Sequence, residues 1–269
     1  MPASYPGAVK NYTSKTDGVD DVLASHVNDL QLEVTAIETE LGTDPAGTYT
    51  DLKTRLATFP APDGWTDPGE TWTYASASTF TVAGDVTGKY GKGDKLKFTQ
   101  TTVKYAVISA TPTYSAPNTT ITIAVNTDYT IAAAAISANY YSKAENPQGF
   151  PDWFNYVPTL TGWSVNPATV ARFMVSARKV TVSIYQGLVS TSNATNIVIT
   201  GPITAATVAG MIWGAGIWSV QDNGAYPTSP GRAIISSASA NITCGKDTAG
   251  GAWTNSGAKS VGFTLIYEI

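Results

Sequence analysis

A single cysteine and a single histidine stand among the 269 residues of this chain. Cys244 alone forms no intrachain disulfide and no multi-cysteine metal site, and is expected as a small buried hydrophobe in a strand. With His26 the lone imidazole, histidine-built metal sites are excluded, and a Ser-His-Asp arrangement would have to run through that one residue. Charged residues make up only 13%, about half the usual share. The net charge of −4 offers no electrostatic reason to expect nucleic acid or an anionic membrane as partner. No run approaches the roughly 18 apolar residues of a membrane span, and a charged-then-apolar leader is missing, so synthesis in a cytoplasm without membrane insertion is expected. Phosphate-loop spacings are absent, and Gly91-Lys92-Gly93-Asp94 does not supply one. In the C-terminal part the acids are Asp222, Asp247 and Glu268. They are expected as turn-forming, solvated residues, with a pairing of Asp222 and Asp247 across a subunit boundary left open. No catalytic residue, metal or cofactor is expected, and the chain does not read as an enzyme.

What is present begins with a heptad. Leu23, Val27, Leu30, Val34, Ile37 and Leu41 step by 4, 3, 4, 3 and 4, alternating d and a positions. So narrow an apolar seam finds little of its own domain to bury against and is expected to pack on copies of itself. Valine at a with Leu at d favours two strands, and Ile at d shifts towards three, so the seam alone leaves the order open. Asp17 is the expected N-cap, with Asp20 and Asp21 at the positive end of the dipole and His26 as a flanking g residue. Gly42 is the expected C′ residue and Pro45 the stop. The helix would then run about 23 residues, roughly 35 Å. A second short helix is expected over 50–58, with Leu52, Leu56 and Phe59 on one side, and Pro60 and Pro62 ending a stalk at 17–62. Before it, residues 1–16 read as an extended arm that orders by docking.

From Gly64 the period switches to two. Phe80 and Val82, Leu96 and Phe98, Val103, Tyr105 and Val107, and Ile121, Ile123 and Val125 alternate with polar neighbours, with turn signals between. A small barrel or sandwich over 63–157 is expected, its end a linker clamped by Phe150, Trp153, Phe154 and Tyr156. Residues 158–269 read as a second β-domain, a jelly-roll-like sandwich closing on Val261, Phe263, Leu265, Tyr267 and Ile269. The fold class is thus mainly β with an N-terminal helical stalk. Residues 1–60 balance to −5 and residues 157–269 to +3, an acidic rod and a mildly basic tip.

The best lead to a ligand is aromatic. Flat rings with amide and hydroxyl partners suit sugars. Tyr226 and Trp253 lie in Gly-, Asn- and Ser-rich surroundings and are candidates for such a surface, although core packing suits them equally. Asn223, Asp222 and Asn255 would be the polar partners, and Arg232 would serve an acidic sugar. Trp213 and Trp218 are expected in the core.

The opening YPGAVKNYTSKTDGVDDVLASHVNDLQLEVTAIETELGT resembles the N-terminal segment of tailed-bacteriophage fibre and appendage proteins. The stretch ETWTYASASTFTVAGDVTGKY through NPQGFPDWF resembles a β-domain of phage structural proteins. The span from GWSVNPATVARF to SVGFTLIYEI is similar to C-terminal heads of phage and prophage fibres. The resemblance implies a homotrimer, docked on another virion protein through residues 1–16 (Tyr5, Pro6 and Tyr12 among them), with the C-terminal head outermost. It carries over no catalytic or ligand residue. Three functions remain open on these residues: a fibre adhering to a host-surface glycan, a capsid-attached head fibre or decoration protein, and a depolymerising spike, which the scarcity of acids and histidine disfavours.

Overall fold

The heptad spacing does form a helix, α1 (Ala24–Leu41), but an 18-residue one, about 27 Å long. A computed structural model describes residues 14, 16, 19, 21–56, 63–192 and 194–269. The expected cap Asp17 lies outside these, as do the expected docking residues Tyr5, Pro6 and Tyr12. The helix instead starts after Leu23, whose backbone is extended and whose N–H donates to His26 Nδ1 at 3.1 Å. His26 thereby does what Glu or Gln does in a capping box, which a search for acidic or hydroxyl caps overlooks. At the other end Gly42 takes a positive φ of 80° and its N–H reaches Glu38 O, as expected of a C-terminal glycine. A second helix, α2 (Leu52–Leu56), is capped by Asp51 Oδ1, which accepts from Thr54 N at 2.7 Å. Those bonds to Thr54 hold the Asp51 carboxyl below its ordinary range. Two helices form as expected, both shorter than expected, and no long coiled-coil stalk over 17–62 is shown among the described residues.

The chain divides into two compact units, Met1–Pro60 and Ala61–Ile269. In the first, all six seam residues are 39–56% exposed.

The second unit opens with seven antiparallel strands: β1 (Trp72–Ser76), β2 (Thr79–Ala83), β3 (Lys95–Gln100), β4 (Thr102–Val107), β5 (Thr113–Ser115), β6 (Asn118–Thr122) and β7 (Ser137–Ser142). They form two sheets, β1-β2-β6-β5 and β4-β3-β7. Trp72, Phe80, Leu96, Phe98, Ile108 and Ile121 pack between them, with Trp72 stacked on Phe80 at 4.6 Å. Burying each such side chain is worth about 1.5–3 kcal/mol.

The smaller sheet has a second apolar face. Ala106 faces the first core, whereas Tyr105 and Val107 face a larger one, and Val103 and Val125 are exposed. Lys95 and Lys97 share that second face: Lys97 Nζ sits 4.7 Å from the Trp65 ring and 4.6 Å from the Tyr140 ring, and Lys95 is buried near Phe150. Phe150 packs on Phe154 (5.4 Å) and Phe154 stacks on Phe173 (5.3 Å). The expected boundary near 157 therefore runs through shared core.

The C-terminal part adds β8 (Phe154–Asn155), β9 (Leu160–Thr161), β10 (Thr169–Ser176), β11 (Lys179–Gln186), β12 (Ile197–Thr200), β13 (Ile212–Asp222), β14 (Gly231–Ser236), β15 (Asn241–Gly245) and β16 (Lys259–Glu268). Hydrogen bonding makes these one curled nine-stranded sheet, β8-β10-β11-β16-β13-β14-β15-β12-β9, rather than the two sheets of a jelly roll. The two edge strands are consecutive in sequence. Tyr156 N donates to Ala171 O on one side and Thr200 N to Thr159 O on the other. One stretch of chain thus supplies a two-residue strand to each edge. Strict alternation fills the interior: Val180, Val182, Ile184, Phe263 and Leu265 are fully buried, and Tyr267 OH donates to Ile203 O at 2.7 Å.

Candidate functional site

The residues that sequence pattern singled out gather near one loop, and most are structural. Trp253 is only 2% exposed. Its Nε1 donates to Cys244 O at 2.7 Å and its backbone N to Thr195 O at 3.1 Å. No ring face is left for a ligand, which corrects its candidacy. Arg232 projects from β14 and lies flush against Gly250, where a Cβ would come within 2.1 Å of the guanidinium. With Trp253, Thr195 and Asn196 it borders a small recess of about 190 Å³.

Asn223 sits at φ +53° in the turn after β13, and its Oδ1 accepts from Ser256 Oγ at 3.3 Å. The Asp222 carboxylate accepts from Thr254 N (3.1 Å) and Oγ1 (2.8 Å), with Lys246 Nζ at 3.6 Å. Asp247 Oδ1 accepts from Gly251 N at 2.7 Å. Lys259 Nζ, wholly buried, donates to Ser256 O at 2.9 Å, and burial lowers its pKa. Asn255 is exposed. This network clasps the 246–258 loop onto the end of the sheet, and both candidate carboxylates are engaged within their own chain.

The exposed aromatic surface lies elsewhere. Along β13, Ala215 and Ile217 pack inward while Ile212, Gly214 and Gly216 face out. Trp213 packs against the core as expected, but Trp218 is 62% exposed. A bulge between Ile217 and Ser219, opposite β16, aims the indole across the sheet. It comes to rest over Gly262, where a Cβ would stand 2.7 Å from Trp218 Cη2. Tyr185, the cross-strand neighbour of Gly262 on β11, lies nearly parallel to it, with ring centroids 6.0 Å apart and 7° between planes.

Beside this pair opens a cleft of about 400 Å³ between β13 and the 226–230 loop, lined by Trp218, Ser219, Tyr226, Thr228 and Ser229 between two prolines. Tyr226 is as exposed as Trp218, and Tyr185 is half exposed. Of the sequence candidates, Tyr226 alone reaches this surface. Tyr185 and Trp218 were missed, yet a signal existed: Trp213 and Trp218 are five residues apart, an odd spacing that puts them on opposite faces of a strand. Asp, Glu, His and Lys are all absent from the lining, so the cleft offers contact surface and hydroxyl partners rather than proton transfer.

Among the described residues no group of three or more His, Cys, Asp or Glu could hold a metal ion, and no helix is long and apolar enough to cross a membrane. Neither a family model, nor a curated protein, nor a solved structure matches the chain.

Proposed function

We propose that the chain is a structural fibre protein of a tailed-phage virion. In this reading it is a homotrimer joined through α1 and held to another virion protein by residues 1–16. Its C-terminal β structure is displayed towards a host-surface glycan. The observation that carries the reading is the seam of α1. Leu23, Val27, Leu30, Val34, Ile37 and Leu41 repeat at heptad spacing yet remain substantially exposed in the single chain. An apolar stripe of that regularity is stabilised when copies of the helix cover it. The acidic 1–60 segment and the mildly basic 157–269 segment agree with attachment at the first and display of the second, towards an anionic envelope.

The brevity of α1 favours a second reading, a capsid-attached head fibre or decoration protein that projects only a short way. A depolymerising spike gains no support, because Asp222 and Asp247 are each committed to loop hydrogen bonds.

Multi-angle light scattering on the full chain tests the assembly, with a three-chain mass expected. A single-chain mass at micromolar concentration would remove the fibre reading. Gold-labelled antibody against residues 1–16 on intact particles separates tail from capsid, and absence of the chain from particles would sink both.

A further inference from the structure

We propose that the Tyr185–Trp218–Tyr226 surface is a sugar-binding site for a neutral pyranose unit of a glycan. The proposal rests on the adhesive reading above and sharpens it. Two exposed rings, Trp218 and Tyr226, line one cleft, and Tyr185 lies outside its lining but nearly parallel to Trp218. Stacked ring atoms touch at about 3.5–4.0 Å, so a 6.0 Å centroid separation means the two rings are displaced sideways. Both remain largely open to solvent, Trp218 at 62% and Tyr185 at 50% exposure. Such a surface is built, not incidental. It needs the outward position that alternation gives Trp218 and the glycine at 262 that lets the indole lie down. An exposed indole and phenol beside hydroxyl-bearing side chains suit a pyranose, which has an apolar C–H face and polar edges. Ser219, Thr228 and Ser229 supply those edge partners.

The site also has the right volume and stiffness. About 400 Å³ falls within the usual span of ligand clefts, roughly 300–1,000 Å³. Pro227 and Pro230 bracket the loop and restrict it before binding, which lowers the ordering cost. Charge selects the class of sugar. No Arg, Lys, Asp or Glu lines the cleft, so a carboxylated or sulfated sugar would lose hydration without gaining a counter-ion. Arg232, the residue expected to receive an acidic sugar, packs against Gly250 instead.

The test is a glycan array probed with the full-length protein, carrying neutral and acidic glycans, followed by calorimetry on the best neutral binder. Wild type should prefer neutral glycans. Trp218→Ala should weaken binding at least tenfold, Trp218→Tyr should restore part of it, and Arg232→Ala should leave it unchanged. Tyr226→Ser, on the opposite wall of the cleft, gives an independent loss should Trp218→Ala lower the urea midpoint. If wild type binds glycans and both the Trp218 and Tyr226 variants bind equally well, this site is wrong and the adhesive reading survives. If wild type binds none, both fall. If Trp218→Ala lowers the solution mass, the rings are a contact between copies and the proposal is overturned.

Discussion

The two units treat their apolar residues in opposite ways. In the nine-stranded sheet Val180, Val182, Ile184, Phe263 and Leu265 are sealed from water, while along α1 every seam residue is substantially exposed and Glu33 is the buried one. The sheet satisfies its hydrophobic pattern within one chain. The helix has a pattern just as regular, and its seam stays exposed among the described residues. In the trimer proposed above such an exposed stripe would be covered by copies of itself, whereas one that is satisfied locally contributes to the stability of its own chain.

The comparison breaks most visibly in the sheet. Phe263→Ala should cost about 3–5 kcal/mol, read as a lower urea midpoint, while Leu30→Ala should leave that same transition unmoved. Equal effects would mean that helix and sheet share one cooperative core.

Leu30→Asp should reduce the solution mass to that of one chain, because it places a charge in the seam, with the sheet's near-ultraviolet dichroism unchanged. An unaltered mass would show that the β structure holds the copies together by itself.

A smaller effect comes from Lys95, buried with the face of Phe150 nearby; burial lowers its pKa, only partly offset by Asp94 and Glu145. A lysine depressed on folding contributes stability that is present above its unfolded pKa, about 10.4, and lost as pH falls through its folded value. Between those values the unfolded chain binds more protons, so stability rises with pH. Lys95→Met should therefore gain on wild type as the pH is lowered through that window in urea titrations. A constant difference would mean that the ammonium is not buried in solution.

The mildest probe is Cys244, whose thiol is fully buried and pushed up by that burial. Iodoacetamide at pH 8 should leave it unmodified in the native protein and alkylate it fully in urea. Rapid native labelling would show that β15 opens locally.

Local pattern carried much of this fold. Period-two alternation marked β2, β6, β11, β12 and the second half of β16, because each buries one face there, and Gly42 ended α1 where expected. Properties that depend on distant chain were not legible. Tyr105 and Val107 alternate as one core face, but the face belongs to a core completed by Phe150, Phe154 and Phe173. Trp253 sits in a string of small polar residues that reads as surface loop. Its burial comes from the clasp at Asp222 and Thr254, which joins residues 32 apart. Of the cleft, Tyr226 was named for its loop surroundings, whereas Trp218 was expected in the core although its odd spacing from Trp213 puts the two on opposite faces of the strand. That the ring would lie over Gly262 and alongside Tyr185 depends on a three-strand register that no local rule specifies.

The position of β16 has a consequence in time. It lies between β11 and β13, and its partner β11 precedes it by more than 70 residues of chain. Neither half of the sheet has its inner neighbour until that long loop has closed. Such non-local pairing belongs with topologies that fold on the order of milliseconds to seconds. A helix nucleates far sooner, so in the trimer proposed above the copies would spend that interval side by side with unfilled strand slots. Exchange of β16 between neighbours is the characteristic error open to them. The same arrangement makes a finished sheet slow to exchange a strand, because releasing β16 uncovers both halves at once.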